Sequence, residues 1–215
     1  QLIFDPGFGF GKKLEHKYVG NPLIAHEKVD AILITHEHSD HVIGLDDIRP
    51  FNFMYETDMP IYSSKKVLED LKKRFSYIFE ATYPGVPKIQ QHLISKEQPF
   101  VATGIPIIPI EIFHGKLPIL GFRIGDFAYL TDFKTIEPLE EMKLKGVKTL
   151  VMSALQHHEH HSHSTLKESV GFIQQLKIPK AYLTHLSHKM GTHAKTEQEL
   201  PPNIRIAYDG LVIDA

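Results

Sequence analysis

Residues 35–41 read Thr-His-Glu-His-Ser-Asp-His, which places the three imidazoles of His36, His38 and His41 beside the carboxylate of Asp40 in one short stretch. The stretch follows VDAILIT, residues 29–35, whose length and branched side chains predict a buried strand. The motif therefore falls on the loop leaving that strand. His36 and His38 are two apart, so in extended chain their rings share a face. Asp40 and His41 come after a turn and address a neighbouring point. One strand end would thus serve two metal positions, as in sites where two ions sit about 3.5–4 Å apart. Imidazole and carboxylate donors suit zinc, manganese or iron. A polar surface loop explains a lone histidine, but not this grouping after an apolar run.

The same pattern recurs along the chain. Residues 105–113 alternate, carry Pro106 and Pro109, and predict an edge or bulged strand that ends at His114. Residues 119–124 and 127–131 flank Gly125-Asp126, a hairpin signal, and the second strand ends at Asp132. The apolar run 149–155 leads into HHEHHSHS at 157–164. A helix follows, with Leu166, Val170, Ile173 and Leu176 at helical spacing and Thr165 and Glu168 at capping-box spacing. Residues 181–184 predict a strand ending at His185. His36, His114, Asp132 and His185 thus all stand at the C-terminal ends of strands, where open α/β sheets bind ligands.

The remaining elements fit an alternation of strands and helices. Residues 2–4 form a short strand stopped by Asp5-Pro6-Gly7. After a strand at 61–62, Ser63 and Ser64 can cap a helix over 65–80. Its apolar face is Val67, Leu68, Leu71, Phe75, Ile78 and Phe79. A last hairpin is expected around Asp209-Gly210. The class is α/β, two sheets packed between helices, in a single domain over 1–215.

The chain has 215 residues, 42% hydrophobic, which is enough for one sizeable core. Its 24 basic and 26 acidic side chains give a net charge of −2, with no basic run, so no long nucleic acid is expected as partner. Cysteine is absent, which removes disulfides and thiolate metal sites. No apolar stretch reaches membrane-span length, and a cytoplasmic location is expected. The chain begins at Gln1 on an incipient strand, so upstream residues are expected, and a removed signal peptide stays open.

The motif His36-x-His38-x-Asp40-His41, followed by His114, Asp132 and His185, resembles the metallo-β-lactamase superfamily. The resemblance implies an αββα sandwich of two mixed β-sheets flanked by helices, with the family's first strands missing here. It also implies two divalent ions, zinc or manganese, with iron compatible. His36, His38 and His114 would hold one ion, Asp40, His41 and His185 the other, and Asp132 would bridge both. GLDDIRPFN (44–52), AYLTHLSH (181–188) and SHSTLKES (162–169) are similar to the PhnP-type phosphodiesterases. That subgroup implies a small, cyclic or linear, phosphodiester substrate and a further histidine that is not a metal ligand. His163 fits that place. PhnP itself carries a cysteine-containing zinc insert that this sequence lacks, and relatives often form homodimers.

His163 precedes a capped helix, whose N-terminus favours anions. It is expected to hydrogen-bond a phosphoryl oxygen or to protonate a leaving alkoxide. With Asp40 it completes the catalytic expectation. His160 and His188 are candidates for substrate contact or support, and Asp5 for bracing the metal loops. Asp46 and Arg49 are expected to pair structurally. His16, His26, His92 and His193 are expected at the surface. Competing readings keep the metals and change the ester to a lactone, thioester or β-lactam, or make the chain a PqqB-like cofactor-biosynthesis protein. A tRNA-processing nuclease is disfavoured for want of a basic arm.

Overall fold

The computed structural model describes residues 1–7, 28–80 and 84–213, so His16 and His26 lie outside the described residues. The chain divides into two compact units, Gln1–Ser95 and Lys96–Ala215, each with its own sheet and its own core.

The first unit holds β1 (Leu2–Phe4), β2 (Ala31–Leu33), β3 (Met59–Ser63) and β4 (Ile89–Leu93) in that spatial order. Every described pairing in it is parallel, whereas two mixed sheets were expected. The described helices are α1 (Ser39–Val42), α2 (Arg49–Tyr55), α3 (Lys65–Arg74) and α4 (Ser76–Glu80). A 3-10 turn, Ile43–Ile48, joins α1 to α2. Ser64 caps α3 by accepting from Val67 N–H, and Val67, Leu68 and Leu71 lie buried along one side. They pack with Ile32, Ile34, Leu45, Ile48 and Ile61. Burying one such side chain contributes about 1.5–3 kcal/mol. The helix expected over 65–80 breaks at Phe75, which leaves helical geometry at φ −111°, ψ 40° while its own ring stays in the core.

The second unit is a mixed sheet of seven strands, ordered β11-β10-β9-β8-β7-β6-β5. These are β5 (Phe100–Ala102), β6 (Ile105–His114), β7 (Leu117–Ile124), β8 (Phe127–Leu130), β9 (Thr149–Ser153), β10 (Lys180–Thr184) and β11 (Ile204–Ile206). Pairing is antiparallel from β5 to β8 and parallel from β8 to β11. Two antiparallel steps return β6 to the direction of β8, so β6, β8 and β10 all end at the same edge of their sheet. The described helices of this unit are α5 (Pro138–Glu141), α6 (Leu166–Gln175) and α7 (His193–Glu197). α6 opens with the expected capping box, both of whose bonds form.

One expectation holds and another changes here. β6 pairs with β5 over Ile105–Ile107 and with β7 from Ile108 onward. Beyond Ile107 β6 is an edge strand, and other groups answer its outward backbone. Pro109 offers no N–H there, and its carbonyl accepts from Lys143 Nζ at 3.0 Å. Glu111 N–H donates to Glu140 at 2.7 Å, and Phe113 N–H to Thr135 O at 2.8 Å. The terminal hairpin does not form: β11 pairs parallel with β10, and residues 211–213 are not strand. A neighbouring parallel strand, already in place, takes the backbone hydrogen bonds the hairpin would have made. Among the described residues no helix is long and apolar enough to cross a membrane.

Candidate metal centre

In the first unit the sequence motif forms one cluster, with His36 and His38 on the loop leaving β2 and Asp40 and His41 in α1. The ring centroids of His36 lie 4.5 Å from those of His38 and 4.2 Å from those of His41. His41 Nε2 is 3.4 Å from Asp40 Oδ2. Asp5, at the end of β1, braces this cluster as expected. Its carboxylate accepts from Thr35 N–H at 2.7 Å and from the Thr35 hydroxyl at 2.9 Å, and it meets His41 Nδ1 at 3.0 Å. Thr35 Oγ1 in turn lies 2.9 Å from His36 Nδ1.

These contacts fix the tautomers. A carboxylate only accepts, so His41 Nδ1 carries a proton. The Thr35 hydroxyl gives its proton to Asp5, so its oxygen accepts from His36 Nδ1. With Nδ1 engaged as donor, the neutral form of each ring would offer Nε2 to a metal ion. The turn after β1 also bears on the motif: a Cβ at Gly7 would stand 2.3 Å from the Asp40 carbonyl oxygen, so only glycine lets it approach. Glu37, between the first two histidines, is ion-paired to Lys66 of α3 at 2.6 Å.

In the second unit His114, Asp132 and His185 come from the ends of β6, β8 and β10. The two oxygens of Asp132 face different rings: Oδ1 is 3.0 Å from His185 Nε2, and Oδ2 is 3.8 Å from His114 Nε2. His114 Nδ1 donates to the Ser162 carbonyl at 2.9 Å, which turns Nε2 toward Asp132 as the atom a metal ion would use. Asp132 and His185 both hold left-handed backbone, at φ 51° and 57°, and Asp5 does so at φ 48°. Such geometry is costly for a residue with a side chain and is kept where surrounding structure enforces it. For Asp132 the enforcement comes from Ser153, whose hydroxyl accepts from Phe133 N–H at 2.9 Å, and from Ser164 N–H on the Phe133 carbonyl at 2.7 Å.

His163 joins this cluster. Its ring centroid is 4.4 Å from that of His114 and 5.3 Å from that of His185, nearly parallel to the latter. Ligand atoms of His114, Asp132 and His163 all lie within 4.8 Å of one another. His163 Nδ1 is buried without a hydrogen-bond partner among the described residues. Burial pushes its pKa down to about 4, against an upward pull from Asp132. His160 is the next ring out, 5.0 Å from His163, and burial and neighbouring imidazoles lower its pKa also.

The other candidates lie apart. His188 is exposed at the start of a 3-10 turn, and among the described residues no hydrogen bond or ion pair joins it to the cluster. His157 binds the Met190 carbonyl at 3.1 Å. Asp46 pairs with Arg49 at 3.0 Å and accepts from Tyr77 at 2.6 Å, the structural role expected. Thr35, Ser153 and Ser162 were missed by sequence reading. Only the position of Thr35, at the strand end beside the motif, offered a signal.

The donor set fits divalent metal ions: imidazoles of which His36, His41 and His114 are held by their Nδ1 atoms, and a buried carboxylate whose two oxygens face different rings. Residues 1–186 match a family described as the beta-lactamase superfamily domain. The chain belongs to the metallo-β-lactamase superfamily, an α/β fold with two sheets and flanking helices. Within it the chain is PhnP-like: it is 33% identical to a diphosphatase of the PhnP family, with a TM-score of 0.88, over 100% of this chain and 79% of that one. An octanoyltransferase of Porphyromonas gingivalis is 38% identical over 187 residues, 86% of this chain but only 38% of that protein. Zinc-bound PqqB from Methylobacterium extorquens shares the fold, with a TM-score of 0.77 over 100% of this chain and 83% of that one, at 14% identity.

Proposed function

We propose that this metallo-β-lactamase-fold hydrolase is a dinuclear metal-dependent phosphodiesterase acting on a small phosphodiester or diphosphate diester. The observation that carries the reading is full-length likeness, at 33% identity, to a PhnP-family diphosphatase. His36, His38, Asp40, His41, His114, Asp132 and His185 are the proposed ligands, with Asp132 shared between two ions, zinc or manganese. Bound there, divalent ions supply Lewis-acid polarisation of the phosphoryl oxygens and make water a competent nucleophile at neutral pH.

The chain's own residues do the rest. Asp5 and Thr35 hold His36 and His41 as Nδ1–H tautomers. The Ser162 carbonyl does the same for His114. Asp40 sits beside His41 and steadies the approach of water. His163, a neutral imidazole with a buried nitrogen, donates an N–H to a phosphoryl oxygen. An anionic phosphate beside it raises its proton affinity, which equips it to protonate the leaving oxygen.

A second reading, thioester hydrolysis, is favoured by the octanoyltransferase relative. This chain spans only 38% of that protein, so octanoyl transfer need not lie in the shared part. The test is a substrate panel on protein loaded with Mn²⁺ or Zn²⁺: bis(p-nitrophenyl) phosphate, diadenosine diphosphate and an octanoyl thioester. Turnover of the phosphate esters above the thioester is expected. Thioester turnover higher by orders of magnitude would replace the lead reading with the second.

A further inference from the structure

We infer that His160 is a specificity-determining residue that binds the second, non-reacting phosphoryl group of a diphosphate diester. The inference rests on the phosphoryl reading above and narrows its substrate class. Ser162 is the centre of the geometry. Its carbonyl accepts from His114 Nδ1 at 2.9 Å, while its backbone N–H donates to His160 Nδ1 at 3.3 Å. The Ser162 hydroxyl lies 3.4 Å from the same nitrogen. One residue therefore sets two rings in opposite senses. His114 is left with a lone pair on Nε2, suited to a cation. His160, whose Nδ1 accepts, must carry its proton on Nε2 and so presents an N–H, suited to an anion.

The loop holding this arrangement is packed, not loose. A Cβ at Gly115, the residue after His114, would stand 3.1 Å from Ser162 Cβ and 3.6 Å from the His161 carbonyl. His160 is half-buried, and its ring follows His163 at 5.0 Å. The two rings form a file leading away from Asp132: His163 beside the proposed ligands, His160 one imidazole further out. Adjacent phosphoryl groups of a diphosphate match two donors so spaced, whereas a single phosphodiester engages the inner one alone. In hydrolysis, water's oxygen forms one new P–O bond and the bridging P–O bond breaks. The bridging oxygen leaves on the second phosphate, whose charge the His160 N–H steadies. One proton of the water ends on that phosphate and the other in solvent.

The test compares diadenosine diphosphate with bis(p-nitrophenyl) phosphate on metal-loaded protein. His160→Ala is expected to lower kcat/KM for diadenosine diphosphate by about 10–100-fold, the worth of a hydrogen bond to a charged group. The same variant should leave bis(p-nitrophenyl) phosphate turnover and bound metal unchanged. His160→Gln, which keeps an N–H donor, should recover most of the loss. Equal loss on both substrates, or no loss on either, would overturn the role of His160 alone. Wild-type protein inactive on both substrates would overturn the phosphoryl reading, and this inference with it.

Discussion

The two histidine clusters reach the same donor chemistry by different routes. In the first unit, residues 36–41 bring their donors on one loop and the short helix that follows it, and a buried side-chain carboxylate, Asp5, orients His41 directly and His36 through Thr35. In the second, the donors are far apart in sequence and come from three strand ends, and His114 takes its orientation from a backbone carbonyl at Ser162. The first cluster is local and needs one long-range brace. The second exists only once β6, β8 and β10 are in register, and it holds Asp132 and His185 in left-handed backbone to do so. A local cluster is therefore open to side-chain mutation at its brace, whereas an assembled one is sensitive to backbone packing.

The largest effect is expected at Asp132. Asp132→Ala removes the carboxylate facing both His114 and His185, and bound metal should fall by about one ion or more per chain by elemental analysis. Full retention would break the idea that Asp132 is shared. His163→Ala comes next. It should keep the metals yet lower kcat on phosphodiesters by about 10²–10⁴-fold, the range for a proton-transfer residue. Unchanged turnover would remove His163 from the mechanism, and loss of metal would make it a ligand.

The braces sharpen the comparison directly. Asp5→Ala should weaken metal affinity by about 10–100-fold, as loss of an orienting partner does. Gly115→Ala tests the backbone route: at φ +63° a side chain is strained, and its Cβ crowds Ser162. It should weaken metal binding to a similar degree without touching a donor. Affinities read by calorimetric titration that respond to Asp5→Ala but not to Gly115→Ala would show that Ser162 does not orient His114.

This contrast also explains what the sequence revealed. The first cluster was legible because its donors are consecutive and follow a strand of strong apolar character. His114, Asp132 and His185 were legible because strand ends are marked by composition changes, and the resemblance tied them together. What orients them was not. Backbone carbonyls such as that of Ser162 have no letter in a sequence, and Ser153 looks like any strand residue until its hydroxyl meets Phe133 N–H. The strand β4 escaped notice because IQQHL is polar and half-exposed at the sheet edge. The final hairpin was misread because Asp209-Gly210 has the right turn chemistry, whereas the parallel partner of β11 lies far back in the chain.

The smallest effect is expected at Glu168, in the capping box of the helix after His163. Burial opposes its ionisation, but hydrogen bonds from Thr165 N–H, Lys134 and the Thr165 hydroxyl hold its carboxyl below the ordinary value of 4.5. A depressed carboxyl contributes stability that is present above its unfolded pKa and is lost as pH falls through the folded one. Glu168→Gln should therefore flatten the acid side of the stability curve below pH 4.5, read by urea unfolding, and leave neutral-pH turnover intact. An unchanged acid slope would show that the capping carboxylate adds nothing to folding.

The most direct measurement is the metal content of the wild-type chain, loaded with Zn²⁺ or Mn²⁺, desalted and analysed by mass spectrometry. Paired sites holding a shared carboxylate require about two equivalents per chain. One equivalent, or none, would contradict the dinuclear centre on which the proposed chemistry depends.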